Sequence, residues 1–323
     1  MRFSPLLDKL TSIRALVVGD LMLDEYIIGK ATRISPEAPV MVVRQNRTFS
    51  VPGGAANVAK NIEALGGHAS VIGVVGEDQA GIELQAALGE HGHVIPDPNR
   101  PTTRKTRILA DASHQVLRID LESEEPLSPD IEDLVGEAIR ERLPESDVVI
   151  LSDYTKGVLT PGLVSRIITD AKAANTLVVA NAKPESLAYY SGAALVSLNA
   201  REAADSVGEK DILRQQNGSG LSDRPREVAR KIQRDHRIDH VLITLGEYGM
   251  CTEEFYVRPQ KVEVFDTAGA GDTTIATVAL GLAAVGFEAQ IFELASYTAA
   301  AVVRHVGVAV PSADDLIRIR QGV

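Results

Sequence analysis

Short apolar, β-branched runs alternate with amphipathic stretches along most of this chain, and that alternation limits its possible folds more than any other feature. Residues 15–20, 69–75, 148–152, 177–180, 195–198 and 241–244 each read as a buried strand. Residues 55–65, 131–142 and 161–174 carry helical periodicity between them. Strands of this kind joined by helices make βαβ units, so the spacing predicts an α/β fold with a mostly parallel sheet covered on both faces. Ligands in such sheets bind beyond the carboxyl ends of the strands. Two stretches break the pattern. Residues from about 25 to 48 and from about 102 to 121 are β-branched, charged and interrupted by proline, and read as extended segments outside the main sheet. Residues 214–225, with Asn217-Gly218-Ser219-Gly220, read as a polar loop. No internal repeat is present.

The most telling string is Asp266-Thr267-Ala268-Gly269-Ala270-Gly271-Asp272-Thr273, which leads into an apolar helical stretch over 275–287. A small-residue turn feeding a helix N-terminus exposes backbone N–H groups that no intrahelical carbonyl satisfies. Those groups and the helix dipole favour an anion, phosphate above all. An aspartate in that place would repel phosphate, so Asp272 needs a reason to be there. Proton removal supplies one: Asp272 as general base on a hydroxyl that attacks a phosphoryl group held by Gly269, Ala270 and Gly271. The plainer alternative is an N-capping aspartate behind a flexible turn. No G-x-x-x-x-G-K-[ST], no G-x-G-x-x-G after the first strand and no protein-kinase signature is present.

That string resembles the C-terminal signature of the ribokinase-like (PfkB) carbohydrate kinases, and Pro52-Gly53-Gly54-Ala55-Ala56-Asn57-Val58-Ala59 resembles their N-terminal one. The resemblance extends from about residue 15 to 310. It implies one three-layer ribokinase-like domain over residues 1–323, with the two extended segments forming a small β lid over the sugar and a homodimer contact. It also implies ATP and Mg²⁺. Asn199-Ala200-Arg201-Glu202 is similar to the family's N-x-x-E element, which orders Mg²⁺ through water; the same spacing also suits a helix cap. Thr244, Gly246 and Gly249 resemble the turn beneath the nucleotide, and Lys183 would lie near the phosphates. Asn181-Ala182-Lys183 departs from the Asp-Pro-Lys of many relatives, which removes a carboxylate there. Asp266 falls where relatives bind a monovalent cation, K⁺ among them; a loop-capping role is the alternative.

On the sugar side, Gly19-Asp20-Leu21-Met22-Leu23-Asp24 ends the first strand with two carboxylates, groups suited to sugar hydroxyls, and Asp24 is the stronger candidate. Gly53 and Gly54 would let backbone approach the sugar, and Asn57 offers donor and acceptor together. The string from Thr32 to Val40, with Arg33 in it, is similar to the bacterial D-glycero-β-D-manno-heptose-7-phosphate kinases. So are Thr103-Arg104-Lys105-Thr106-Arg107, followed by Gln115, Arg118 and Asp120, and Leu151-Ser152-Asp153-Tyr154-Thr155-Lys156-Gly157. This similarity implies ATP-dependent phosphorylation of the anomeric hydroxyl of a heptose 7-phosphate. Arg33, Lys105 and Arg107, with Arg104 and Arg118 behind them, would read the phosphate already on the sugar. Another sugar, sugar phosphate or nucleoside stays open as substrate, as does a binding protein without catalysis.

A net charge of −11 argues against non-specific nucleic-acid binding and against anionic membranes. Cys251 is the one cysteine, expected as a packed thiol in a strand, so neither an internal disulfide nor a cysteine-cluster zinc site is possible. Arg2, Lys9 and Arg14 interrupt any signal-peptide core, and cytoplasmic localisation is expected. His91-Gly92-His93 reads as part of a polar turn, and no H-x-G-H motif of a nucleotide-transferring domain occurs, so the kinase is expected to stand alone.

Overall fold

The computed structural model describes residues 2–111, 114–213 and 223–322. Its strands, in chain order, are β1 (Arg14–Gly19), β2 (Leu21–Ile34), β3 (Met41–Gly54), β4 (His68–Gly76), β5 (Gly92–Asp97), β6 (Thr103–Ala110) and β7 (His114–Leu121). They continue with β8 (Val148–Ser152), β9 (Leu177–Asn181), β10 (Leu195–Asn199), β11 (His240–Thr244), β12 (Met250–Cys251) and β13 (Tyr256–Val257). The helices are α1 (Ser4–Leu10), α2 (Ala55–Ala64), α3 (Gln79–Leu88), α4 (Pro129–Arg142), α5 (Pro161–Ala173), α6 (Ala200–Ser206), α7 (Arg224–His236), α8 (Ala270–Val285), α9 (Ala289–Val302) and α10 (Ala313–Gln321).

Nine strands form the main sheet in the order β13-β12-β11-β10-β9-β8-β1-β4-β5. All pairs from β5 to β11 are parallel, and β12 and β13 add an antiparallel edge. Alternation along each strand divides the core in two. Ala15 and Val17 of β1 join the cluster under α2, α8 and α9, whereas Leu16 and Val18 join the one under α4, α5 and α7. Val148 and Ile150 of β8 split from Val149 and Leu151 in the same way. Each fully buried Leu, Ile or Val stabilises the fold by roughly 1.5–3 kcal/mol, so a one-residue slip, which would send every side chain into the opposite core, would disrupt the packing of both faces at once. Gly19 ends β1 because a Cβ there would lie 2.1 Å from the Ser152 carbonyl oxygen.

The two extended segments form a separate four-stranded sheet, β3-β2-β6-β7, in which β2 pairs antiparallel with β3 and parallel with β6. Tyr26, 1% exposed, anchors it to the main body through its hydroxyl, which accepts the Val308 N–H at 3.0 Å, while within the small sheet its ring stacks on Phe49 of β3 at 5.0 Å. The expected lid is therefore present.

One expectation is corrected. Of the polar turn expected at His91-Gly92-His93, His91 ends a 3-10 turn, but Gly92 and His93 already belong to the parallel edge strand β5, where Pro96 sits without disturbing an interior ladder. His93 meets Arg142 there, at 3.2 Å. Cys251 is buried in β12, and burial pushes its thiol up to about 12. Residues 214–222 of the expected polar loop lie outside the described residues, while Arg224 and Pro225 already belong to α7. Among the described residues no helix is long and apolar enough to cross a membrane.

Candidate active site

Helix α8 starts at Ala270 behind Gly269, which adopts the left-handed conformation at φ +81°. A Cβ on Gly269 would lie 3.0 Å from the Asn57 amide nitrogen, so the turn needs glycine for both its conformation and its packing. The Ala270 N–H donates to the Thr267 carbonyl at 3.3 Å. The N–H groups that the helix itself cannot satisfy are then those of Gly271 and Asp272, and no side chain caps them. The two unsatisfied N–H groups thus lie slightly further along the chain than the expected turn of Gly269, Ala270 and Gly271, because Ala270 closes the loop.

Asp272 is 4% exposed in that first turn. One carboxylate oxygen accepts from the Asn57 amide at 2.7 Å and the other from the Tyr154 hydroxyl at 2.6 Å. Burial pushes its pKa up to about 6; the Asn57 and Tyr154 hydrogen bonds oppose the shift, Asp24 adds to it and Lys183 opposes it. A carboxyl group tuned close to neutrality is suited to taking a proton. Asn57 sits on α2 just after the two glycines, and the Asn61 amide donates to its carbonyl at 2.9 Å. Thr273 in turn donates to Asn61 at 2.7 Å, so α2 and α8 are joined by a chain of buried hydrogen bonds. Asn57, expected against the sugar, donates one of its two amide hydrogens to Asp272.

Asp20 and Asp24, read together in the sequence, separate in role. Asp20 is 1% exposed and accepts the backbone N–H groups of Tyr154 at 2.7 Å, Lys156 at 3.1 Å and Val158 at 3.3 Å. Burial first, then Asp153, raises its pKa to about 6. Asp24, on β2, pairs instead with the Arg107 guanidinium on β6. Gly53 makes room for that pair, since a Cβ there would lie 1.9 Å from an Asp24 carboxylate oxygen. Gly54, at φ +58°, ends β3 against the Asp20 carbonyl.

Direct register between β2 and β6 sets Lys105 opposite Asp24 and Arg107 opposite Tyr26. The Lys105 ammonium bonds Glu122 at 2.9 Å and lies 3.5 Å from Asp120. Lys156 bonds the same Glu122 at 2.9 Å, and Glu124 at 2.8 Å. Two ammonium groups therefore share one carboxylate beside the Asp24 pair. Arg104 is half-buried on β6, and Arg118 on β7 is exposed and pairs with Asp120 at 2.9 Å. Arg33 does not join this group: it is exposed near the far end of β2, nine residues and about 30 Å of strand beyond Asp24.

On the opposite side, Lys183 follows β9 and its ammonium meets Glu202 at 2.5 Å and faces the Tyr154 ring at 5.4 Å. Asn199 and Glu202 form a full capping box on α6, with bonds of 2.8 and 2.9 Å. The cap and the expected metal-ordering role use the same carboxylate, whose two oxygens are held in place and each keep a lone pair. Among the described residues no group of three or more His, Cys, Asp or Glu side chains could cage a metal. That donor set suits Mg²⁺ held mainly by phosphates and water, with one carboxylate in support. Ala182 donates its N–H to the Ser197 carbonyl at 3.3 Å, a bond that proline could not make. Thr244 ends β11 level with Asn199, and Gly246 and Gly249 follow at φ +59° and +90°. Asp266 accepts the N–H groups of Ala268 at 3.0 Å and Gly307 at 2.9 Å, which is the loop-capping arrangement.

Tyr154 and Lys156 are the site residues not singled out from sequence. Their signal was the string from Leu151 to Gly157 at a strand end, but nothing in it pointed to Asp272.

The chain matches the family model described as pfkB family carbohydrate kinase over residues 13–315. It is 39% identical over 313 residues to the bifunctional protein HldE of Nitrobacter hamburgensis, covering 94% of this chain and 62% of that protein. It is 38% identical to the bifunctional protein HldE of Pelobacter propionicus, covering 96% and 64%. The chain thus spans less than two thirds of the curated relatives it matches. Among solved structures, phosphofructokinase-2 from Escherichia coli in complex with fructose-6-phosphate superposes with a TM-score of 0.77 at 21% identity, covering 97% of this chain and 99% of that one. Arabidopsis thaliana ribokinase with ribose and ATP gives 0.68 at 17% identity, covering 95% and 98%.

Proposed function

The chain belongs to the pfkB family of carbohydrate kinases, and we propose that it transfers the γ-phosphoryl group of ATP to the anomeric hydroxyl of D-glycero-D-manno-heptose 7-phosphate, giving the 1,7-bisphosphate and ADP. The observation that carries this reading is Asp272: a buried carboxyl group with a pKa near 6, between two hydrogen-bond donors, at a helix N-terminus. Asp272 takes the hydroxyl proton as the sugar oxygen attacks phosphorus. The N–H groups of Gly271 and Asp272 and the dipole of α8 stabilise charge on the transferring group. Lys183 supplies a cation on the nucleotide side, and Thr244, Gly246 and Gly249 form the floor beneath the nucleotide. Glu202, with Asn199, would hold Mg²⁺ through water, and the ion would neutralise β- and γ-phosphate charge. Asp266 and the Gly307 loop would hold a monovalent cation, K⁺ being the one expected.

The phosphate on the sugar is assigned to Lys105 of the lid and to Lys156 of the loop that follows β8. Lys105 and Lys156 are largely buried around a single carboxylate, Glu122, a geometry that a phosphate could take over. ADP release with Mg-ATP, compared across the heptose phosphate, other sugar phosphates, free sugars and nucleosides, tests the reading. Selective turnover of the heptose phosphate is expected. Turnover of a different substrate would reject the lid assignment, and binding without turnover would reject the kinase. Lys105→Ala is expected to raise KM for the phosphorylated sugar by about 10- to 100-fold, the worth of one charge-assisted bond. An equal rise for the unphosphorylated analogue would remove Lys105 from that role.

A homodimer through the lid belongs to the same proposal. Leu117, Ile119 and Leu121 alternate on β7 at 50, 53 and 45% exposure, an apolar row on one face of the small sheet. Ile119→Lys is expected to convert a dimer into a monomer by light scattering after size exclusion; an unchanged mass would place the contact elsewhere.

A further inference from the structure

We infer that Tyr154 is a positioning residue for the base: its phenol O–H fixes the Asp272 carboxylate and sets the pH at which that carboxylate ionises. The inference rests on the reading of Asp272 as the proton acceptor.

The geometry has three parts. The Tyr154 hydroxyl donates to Asp272 at 2.6 Å inside the protein, on the carboxylate oxygen that Asn57 does not take. The loop that presents it is clamped from behind, because Asp20 accepts the N–H of Tyr154 at 2.7 Å and that of Lys156 at 3.1 Å. Between those two clamped residues Thr155 adopts φ +55°, a conformation a β-branched residue takes only when its surroundings impose it. Its N–H bonds Asp153 at 2.8 Å, and Asp153 also accepts the Tyr190 hydroxyl at 2.7 Å. Two buried aspartates thus hold one strained loop, and the outcome of that arrangement is a phenol aimed at the base.

The phenol itself stays protonated. Burial and the nearby Asp272 charge raise the Tyr154 pKa well above its ordinary value. It is a donor at every working pH and does not compete for the substrate proton. The other groups facing Asp272 are Asn57 from α2, Asp24 from β2 with its partner Arg107, and Lys183 after β9 with its partner Glu202. Tyr154 is the one whose hydrogen bond can be deleted without changing charge or ring packing.

The test is a ¹³C-carboxyl titration of aspartate-labelled protein, with the Asp272 resonance assigned by its loss in Asp272→Asn. In Tyr154→Phe the Asp272 midpoint is expected to rise by about one pH unit, the size expected for one hydrogen bond to a charged acceptor. The acid limb of kcat is expected to move by the same amount, and its high-pH plateau to fall roughly tenfold, less than the ~100-fold that a 1 Å misplacement can cost. An unmoved midpoint in a folded Tyr154→Phe protein overturns the inference. Difluorotyrosine placed at position 154 is a second, isosteric probe: a stronger donor is expected to lower the midpoint, and an unchanged one again overturns it. The titration contains no sugar, so it decides the role of Tyr154 even where the substrate assignment fails.

Discussion

Asp272→Asn is expected to lower kcat by at least about three orders of magnitude while leaving the fold intact and somewhat more stable at pH 8. General-base catalysis contributes roughly 10²–10⁴-fold, and here the same side chain also shapes the first turn of α8. Asparagine preserves that shape. Its carbonyl oxygen can still accept from Asn57 as Asp272 does at 2.7 Å, while its NH2 group faces the Tyr154 oxygen, whose O–H, donated to Asp272 at 2.6 Å in the wild type, has to turn to another acceptor. The stability gain follows from the sign of the shift. The carboxyl pKa is raised to about 6 in the folded protein against 3.8 for the free group, so folding favours the protonated form. That contribution is complete below the unfolded pKa and is lost as pH rises through about 6. At pH 8 the wild-type protein carries an ionised group that its surroundings disfavour, and asparagine does not. Two pH units correspond to at most about 3 kcal/mol, and a net gain of about 1–2 is expected once relaxation is included. Steady-state kinetics and thermal unfolding at pH 5 and pH 8 measure both effects. Near-normal turnover would reject Asp272 as the base; a melting temperature that falls at pH 8 would reject the electrostatic argument.

The sheet was legible because burial on both faces writes itself into composition. Val148 to Ser152 alternates between two cores, so every residue of β8 is apolar or small. The antiparallel edge was less visible, since β12 and β13 have two residues each and no periodicity to read. β5 was hidden by Pro96, a residue that an edge strand tolerates and an interior strand does not, and by His93 beside the polar turn that ends at His91. At the site, Asp272 and its glycine turn stood in one contiguous string, as did Asn199 and Glu202. What could not be read were pairings made across the fold. Asn57 and Asp272 are separated by 215 positions, Tyr154 and Asp272 by 118, and Asp24 and Arg107 by 83. Sequence identified Asp24 and Arg107 as separate candidates; only the register of β2 on β6 makes them one unit. The same limit explains Arg33, whose string matched but whose strand carries it away from the group it was expected to join.

Arg107→Ala is expected to be the most damaging single change on the sugar side, lowering kcat/KM by more than 100-fold and destabilising the protein by about 3–5 kcal/mol. Asp24 is 3% exposed, and its bond to the Arg107 guanidinium is what makes a carboxylate tolerable there. Removing one member of a buried ion pair leaves the other charged and unpaired, which costs far more than the pair contributes when whole. The guanidinium also lies 5.4 Å from the centre of the Tyr26 ring, and Tyr26 is the residue that ties the lid to the Val308 N–H. Losing Arg107 therefore disturbs Asp24, the carboxylate proposed for the sugar, and the lid anchor together. A double-mutant cycle with Asp24→Ala separates these contributions. If the pair acts as a unit, the double variant is expected to be more stable than Arg107→Ala alone, because no charge remains buried without a partner. Its kcat/KM is expected to stay as low as in either single variant, since no carboxylate is left to accept from the sugar hydroxyls. Strictly additive costs in both stability and kcat/KM would show that Asp24 and Arg107 work independently, and each would then have to be placed against the substrate on its own.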